Sequence, residues 1–376
     1  MSALAPPRTR VPRLILAGGG TGGHVYPALA VLEQVEGERR WVGSLGGREE
    51  PLVRRAGIEF VGVPTGAVLG RGPLALTSSA LRNLQGIGAA RRAIRAFRPD
   101  VVFATGGYVS VPVVAAAWTL GLPTALFLPD VKPGLAVAAL SRIVDRVACT
   151  AEETRRYLPP DKVVPTGYPV RPDLRAWGDR ARARATLGLP ADEPVLFVVG
   201  GSTGARSINR ALVAALPRLL ARALVIHMAG SHGIEEARRA QAGLDGQQRA
   251  RYRVFEYLHD EYGPAMAAAD LMVGRAGASV LGELPAFGLP AVLVPGRFAG
   301  GHQRHNADRL VAAGAAVRLD DDQMQQEGTL ATTVLSLLDD PSRRRAMAAA
   351  ARAIDRPDAA ERIAALLAEL ASRGRR

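Results

Sequence analysis

Short apolar runs alternate with segments of helical period along most of the 376-residue chain. Strands buried on both faces read as unbroken runs of Val, Ile, Leu and Ala, and their alternation with amphipathic helices marks parallel βαβ units. In the front half the pattern predicts strands over residues 13–17, 40–43, 60–63, 101–104, 124–128 and 146–150. In the back half it predicts strands over 195–199, 224–228, 253–257, 271–273, 291–294 and 316–319. Between them the turn-rich run Pro165-Thr166-Gly167-Tyr168-Pro169, with Pro172 close behind, breaks the alternation. That break predicts an N-terminal domain over 1–168 and a second over 169–350, at the usual ~100–200 residues per domain. The Ala/Leu/Arg-rich stretch from Pro357 to Ser372 keeps a helical period, so 351–376 is expected to form a helix that packs back on the N-terminal domain.

Both halves open alike, with a strand running into a glycine-rich turn and then a helix. The turns are Gly18-Gly19-Gly20-Thr21-Gly22-Gly23 and Gly200-Gly201-Ser202-Thr203-Gly204. The expected fold class is therefore α/β, with two Rossmann-like domains facing a cleft, since open sheets bind ligands beyond the carboxyl ends of their strands. The first loop satisfies G-x-G-x-x-G, but the second strand ends Trp41-Val42-Gly43-Ser44, without the carboxylate that would hold a dinucleotide ribose. No Gly-Lys-Ser/Thr follows either loop, which excludes a P-loop. What remains is physical: glycines admit a ligand close to the backbone, and a helix N-terminus favours a phosphate oxygen. His24 follows the first loop directly, where a neutral imidazole is placed to take a proton.

Charge narrows the partners. The net charge is +13, and only two of the 48 basic side chains are lysines, Lys132 and Lys162. Residues 1–190 hold 25 basic and 14 acidic side chains, against 23 and 21 in 191–376, so the excess sits in the front half. A phosphorylated ligand, an anionic membrane surface or nucleic acid would each account for it, as would plain arginine usage. Aromatic residues make up only 5% of the chain, which argues against nucleic acid. In 81–97, Leu81, Leu84, Ile87, Ile94 and Phe97 interleave with Arg82, Arg91, Arg92 and Arg95, the pattern of a basic amphipathic face for lipid or of a half-buried helix. Residues 101–128 carry no charge, yet Gly106, Gly107, Pro112, Gly121 and Pro123 make them strand, helix and strand rather than a membrane span. A lone Cys149 fits a reducing cytosol. His227, His259 and His305 lack ligand spacing, and Asp320-Asp321-Asp322, although it contains D-x-D, reads as a solvated helix cap, so no metal is expected.

The run from Gly18 through His24 to Val25-Tyr26-Pro27-Ala28 resembles the N-terminal signature of the MurG family of peptidoglycan N-acetylglucosaminyltransferases. The likeness continues in order through Thr105-Gly106-Gly107-Tyr108-Val109-Ser110, then Gly200 to Arg206 and Asn209. It closes with Arg275-Ala276-Gly277-Ala278-Ser279, Glu283 and His302-Gln303 to Asn306-Ala307. It thus spans residue 14 to about 310. The resemblance implies an inverting GT-B glycosyltransferase that needs no bound metal or other cofactor. Such an enzyme moves N-acetylglucosamine from UDP-N-acetylglucosamine to lipid I, a lipid-linked pyrophosphate acceptor, as a peripheral protein on the cytoplasmic membrane face. A paralogous transferase with another lipid or glycan acceptor is the second reading.

Position by position, the resemblance makes His24 the base or the group orienting the acceptor hydroxyl. Thr21, Gly22 and Gly23 would hold the acceptor pyrophosphate, with Tyr108, Ser110 and, more distantly, Asp130 on the same side. On the donor side it implies Arg171 at the nucleotide or phosphates, and Ser202, Thr203 and Gly204 at the leaving diphosphate. Leu258 would meet uracil through its backbone, Glu283 the ribose hydroxyls, and Gln303 with Asn306 the sugar hydroxyls. Read without the resemblance, Tyr108 is equally a core residue and Gln303 with Asn306 a helix-capping pair. Glu283 differs, because it lies among Val280, Leu281 and Leu284, where an unpaired carboxylate is costly. The family's His-Glu-Gln-Asn run is replaced here by Phe127-Leu128-Pro129-Asp130, and its Gly-Asn-Pro-Val by Gly167-Tyr168-Pro169-Val170. Likewise Thr203 stands for the family's Gln, and Val280 for the usual threonine.

Overall fold

The computed structural model describes residues 8–20, 22–66, 73–296 and 301–374. The chain divides into two compact units, Met1–Arg171 with Arg356–Arg376, and Pro172–Asp355. Unit 1 holds 26 basic and 15 acidic side chains and unit 2 holds 22 and 20, so the positive excess belongs to unit 1.

Unit 1 runs β1 (Thr9–Ala17), α1 (Gly22–Leu32), β2 (Val35–Ser44), α2 (Glu50–Arg55), β3 (Glu59–Val63), α3 (Pro73–Phe97), β4 (Val101–Ala104), α4 (Ser110–Thr119), β5 (Thr124–Leu128), α5 (Leu135–Leu140), β6 (Arg146–Cys149) and β7 (Val163–Pro165). The strands form one parallel sheet in the order β3-β2-β1-β4-β5-β6-β7. Period-2 alternation sends Ile15 and Ala17 of β1 into one core with Ile94 and Phe97 of α3 and Val113 and Val114 of α4. The segment 101–128 is strand, helix and strand, and among the described residues no helix is long and apolar enough to cross a membrane. Strand β7 is absent from the expectations because it is three residues ending in proline. At a sheet edge the missing proline N–H costs nothing, but so short a run leaves no periodic signal.

Unit 2 runs α6 (Pro172–Arg175), α7 (Arg180–Thr186), β8 (Val195–Val199), α8 (Arg206–Leu220), β9 (Leu224–Met228), α9 (Ile234–Ala242), α10 (Gly246–Ala250), β10 (Tyr252–Phe255), α11 (Tyr262–Ala268), β11 (Leu271–Gly274), α12 (Val280–Phe287), β12 (Ala291–Leu293), α13 (His302–Ala312), β13 (Ala316–Arg318), α14 (Thr329–Leu338) and α15 (Pro341–Ala353). Its parallel sheet has the order β10-β9-β8-β11-β12-β13. A buried ion pair secures the start of this sheet. Arg184, almost fully enclosed, donates to Asp270 at 2.8 Å, and the same carboxylate oxygen accepts the Val195 N–H at 2.8 Å. The chain then returns to unit 1 as α16 (Ala359–Ser372), which packs against β1, β4 and α1.

In each sheet the connection order reverses once, between β1 and β4 and between β8 and β11. The loops leaving those paired strands diverge around a crevice, which is where open α/β sheets take ligands. The residues 18–23, 105–109, 200–205 and 275–279 leave these four strands.

Candidate active site

In unit 1 the loops after β1 and β4 interlock through missing side chains. A Cβ on Gly18 would lie 2.2 Å from Thr105 Oγ1, and one on Gly107 would lie 2.4 Å from the Gly19 carbonyl. The Gly19 N–H donates to Gly106 O at 3.3 Å. His24, in the first turn of α1, is clamped by the same contact. Its Nδ1 lies 2.8 Å from the Thr105 carbonyl, while the Thr105 hydroxyl donates to the His24 carbonyl at 2.6 Å. A carbonyl oxygen only accepts, so Nδ1 carries the proton and Nε2 is the bare, basic nitrogen of the neutral ring. Burial lowers the His24 pKa; the Thr105 carbonyl, Asp130 and Glu49 oppose that shift. Both effects suit an imidazole kept neutral, oriented and moderately basic.

The other unit 1 expectations divide. Gly22 and Gly23 begin α1, whose first N–H groups have no partner within the helix, and Thr21 lies outside the described residues. Tyr108 is 46% exposed, which overturns its reading as a core residue. Ser110 is buried, and its hydroxyl accepts from the Gly106 N–H and donates to the Gly106 carbonyl. It therefore builds the turn under the site rather than offering its hydroxyl to a ligand. Leu128 is buried in the sheet core, whereas Asp130, two residues on, is half-buried and its charge reaches His24. Arg171, expected among donor residues, lies in unit 1 with its guanidinium 4.4 Å over the Tyr26 ring.

In unit 2 the turn after β8 places Gly201 and Gly204 at φ +89° and +83°. The Gly204 N–H is spent on Gly201 O at 2.9 Å, and the Ser202 and Thr203 carbonyls accept from Ser231 and His232. This leaves the Ser202 and Thr203 side chains exposed at the mouth of α8, a helix of 15 residues with no side-chain cap. Beneath it a buried chain of hydrogen bonds braces the turn. Asn209 Nδ2 donates to Ala229 O at 2.8 Å, and Asn209 Oδ1 faces His227 Nε2 at 3.1 Å. His227 therefore carries its proton on Nε2 and accepts from the Tyr252 hydroxyl at Nδ1, 2.8 Å away. Enclosure lowers the His227 pKa to about 4, so it stays neutral, and pushes the Tyr252 hydroxyl well above its ordinary value. Ala229 is the residue against which Gly204 packs; a Cβ at 204 would lie 2.1 Å from its carbonyl.

Glu283 sits half-buried on α12 and accepts from the Tyr262 hydroxyl at 2.9 Å. Leu258 is buried, and its N–H points to Met228 Sδ at 3.4 Å. Gln303 and Asn306 reach out from α13 to neighbouring loops. Gln303 Oε1 accepts the Gly296 N–H at 2.8 Å, and the buried Asn306 donates to Ala276 O at 3.0 Å, so both tie α13 to loops at the strand ends. The solvated-cap reading of Asp320-Asp321-Asp322 is corrected: Asp321 accepts from Arg275 at 2.8 Å and Ser207 at 2.7 Å, and Asp320 pairs with Arg304 and Arg318. These carboxylates anchor arginines, and Asp322 makes no side-chain cap bond.

One residue with no motif around it braces the first glycine turn. Glu49 is 1% exposed; its Oε2 accepts the Gly20 N–H at 3.1 Å and its Oε1 the Ser44 N–H at 2.7 Å. Gly19, Gly43 and Gly47 surround the carboxylate so closely that a Cβ on any of them would come within 2.4–3.2 Å of it. The carboxylate missing from the end of β2 is thus supplied five residues later, folded back and committed to the backbone. Two N–H donors need two acceptors, and glutamine offers one. Glu49→Gln is expected to lower the melting temperature measured by thermal unfolding, consistent with ~1–3 kcal/mol for an unsatisfied buried donor.

Two doubly wound α/β units, each with a glycine-rich turn and a helix N-terminus at its switch point, define the GT-B class of glycosyltransferase fold. The glycosyltransferase family 28 N-terminal domain matches residues 14–149 and the family 28 C-terminal domain residues 195–363. The chain is 43% identical, over 96% of its length and 95% of the relative's, to the UDP-N-acetylglucosamine–N-acetylmuramyl-(pentapeptide) pyrophosphoryl-undecaprenol N-acetylglucosamine transferase of Roseiflexus sp. strain RS-1. It is 39% identical to the protein of that name from Desulforudis audaxviator, covering 97% of this chain and all of the relative. Among solved structures it resembles Acinetobacter baumannii MurG, with a TM-score of 0.73, 26% identity and coverage of 95% and 99% of the two chains. A UDP-GlcNAc 2-epimerase from Neisseria meningitidis shares the fold at TM-score 0.66 and 13% identity, covering 95% and 99%. The chain belongs to glycosyltransferase family 28, among the MurG transferases.

Proposed function

We propose that the protein transfers N-acetylglucosamine from UDP-N-acetylglucosamine to the muramyl sugar of lipid I, giving lipid II for peptidoglycan. The end-to-end likeness to relatives of that one activity carries the reading. In the reaction the acceptor hydroxyl oxygen attacks the anomeric carbon while its proton passes to His24 Nε2. The bond from that carbon to the diphosphate oxygen breaks, and UDP leaves with the electron pair. Its growing charge meets Ser202, Thr203 and the N-terminal dipole of α8. Glu283 receives the ribose hydroxyls, a task for which a carboxylate has the acceptor capacity. Gln303 and Asn306 hold the donor-sugar loops, Leu258 lies at the base, and Arg171 with Gly22 and Gly23 meets phosphate. Incubation with UDP-N-acetylglucosamine and a short-chain lipid I analogue should release UDP. Release only with another acceptor would favour a paralogous transferase, the reading that buried Leu128 supports in place of the family's acidic residue.

The proposed location is the cytoplasmic membrane face. Half of the expected lipid face of α3 is core instead: Ile94 and Phe97 are buried, and Ile87 packs against them. What faces out is Leu81 and Leu84 of its earlier part, at 57% and 66% exposure, with Arg82 beside them and Arg92 further along also exposed. Trp118, on the neighbouring α4, is 54% exposed beside Thr119, which accepts from Arg91. Each arginine near an anionic surface contributes ~1 kcal/mol. The Arg82→Glu/Arg92→Glu double variant should therefore partition at least about tenfold less onto anionic vesicles at low salt, read by co-sedimentation. Partitioning that ignores both salt and these reversals would return the positive excess to arginine usage alone.

A further inference from the structure

The carboxylate of Glu283 is held before any ligand arrives. Tyr262 opens α11, and its ring meets Phe197 of β8 edge-on, with centroids 5.8 Å apart and planes at 72°. Phe197 is fully buried in an interior strand, so the tyrosine ring rests on the core of the unit 2 sheet. From that support the phenol donates to Glu283 Oε2 at 2.9 Å. A phenol has one proton to give, and a hydrogen bond to an ionised oxygen is short and directional. It ties one oxygen of a flexible side chain to a rigid ring and thereby sets the plane of the carboxylate. An ionised carboxylate has about four acceptor positions, and the phenol occupies one of them.

We infer that Tyr262 is a positioning residue for ribose recognition, orienting Glu283 so that the site prefers ribonucleotides over 2′-deoxyribonucleotides. This rests on the reading that Glu283 receives the ribose hydroxyls. Planar acceptors discriminate vicinal hydroxyls only when their orientation is settled in advance; a freely rotating glutamate would follow whichever hydroxyl was present. Ordering the side chain in the folded protein moves that entropic cost out of the binding step. Nothing in the residues around 262 announces the role, because Tyr262 and Glu283 come from different helices and meet only in the folded unit.

The test is calorimetric titration of the full chain with UDP and with 2′-deoxy-UDP, in the wild type, Tyr262→Phe, Glu283→Ala and the double variant. Phenylalanine keeps the ring on Phe197 and removes only the donor. Tyr262→Phe should weaken UDP about tenfold and 2′-deoxy-UDP much less, shrinking the ribose preference by several-fold. In the Glu283→Ala background it should have no further effect on either nucleotide. An unchanged preference in Tyr262→Phe, or an equal loss for both nucleotides, would overturn the role of Tyr262 while Glu283→Ala still abolished the preference. If Glu283→Ala itself left the preference intact, the ribose assignment of Glu283 would fall instead.

Discussion

His24→Ala is expected to lower turnover by about 10²–10⁴-fold, the range for loss of a general base, while leaving the dissociation constant for UDP unchanged. The tautomer carries this expectation. With Nδ1 committed to the Thr105 carbonyl at 2.8 Å, the neutral ring has one basic nitrogen, and alanine has none. The pH dependence follows from the same site. Burial lowers the His24 pKa below its ordinary 6.5, so the imidazole stays unprotonated, and competent as a base, until the pH falls below that value. The acid limb of kcat/KM should therefore lie below pH 6.5 in the wild type and be missing from the residual activity of His24→Ala. Steady-state rates over pH 5–8 with a lipid I analogue, beside UDP titrations, make the measurement. Equal loss of UDP binding and turnover would mean that the histidine is structural.

Glu283→Ala is expected to act on the other substrate, weakening UDP about 10²-fold, since hydrogen bonds to a charged group contribute ~1.5–3 kcal/mol each. The Michaelis constant for the donor should rise accordingly. Turnover at saturating donor should fall far less than in His24→Ala, because the ribose lies remote from the breaking bond. The alanine also removes the acceptor of the Tyr262 hydroxyl's 2.9 Å hydrogen bond, so a modest drop in melting temperature should accompany the binding loss. Normal UDP affinity in this variant would remove Glu283 from the donor site.

Glu49 and Tyr262 show why part of the site escapes a reading along the chain. Motif reasoning finds residues whose type and spacing have one chemical use, such as a glycine run before a helix or a lone carboxylate between apolar neighbours. Glu49 has no such neighbourhood. It follows a polar turn, Gly46-Gly47-Arg48, and resembles any solvated acid until the loop carries it under Gly20. Ser110 fails in the opposite direction, standing in a recognisable motif while its hydroxyl is used up by the adjacent Gly106 peptide. The Asp320–Asp322 run looked solvent-facing because its arginine partners, 275, 304 and 318, come from three separate elements.

The strands were legible because a parallel sheet covered on both faces demands unbroken apolar runs; β1, β4, β5 and β8 each consist of one or end in one, and β9 and β11 begin with one. Glycines 18, 19, 106, 107, 200 and 204 were legible as close-approach positions, since a Cβ at any of them would come within 2.8 Å of a neighbouring atom. Local chemistry thus determined the α/β class and the two glycine turns, and singled out His24 and Glu283 as candidates. Tertiary structure decided which nitrogen of His24 is basic and which carboxylate fills the end of β2. It also decided which half of α3 is core, and that a tyrosine on α11 holds Glu283. Each of these depends on groups brought together across the sheet order, where distance along the chain says nothing about distance in space.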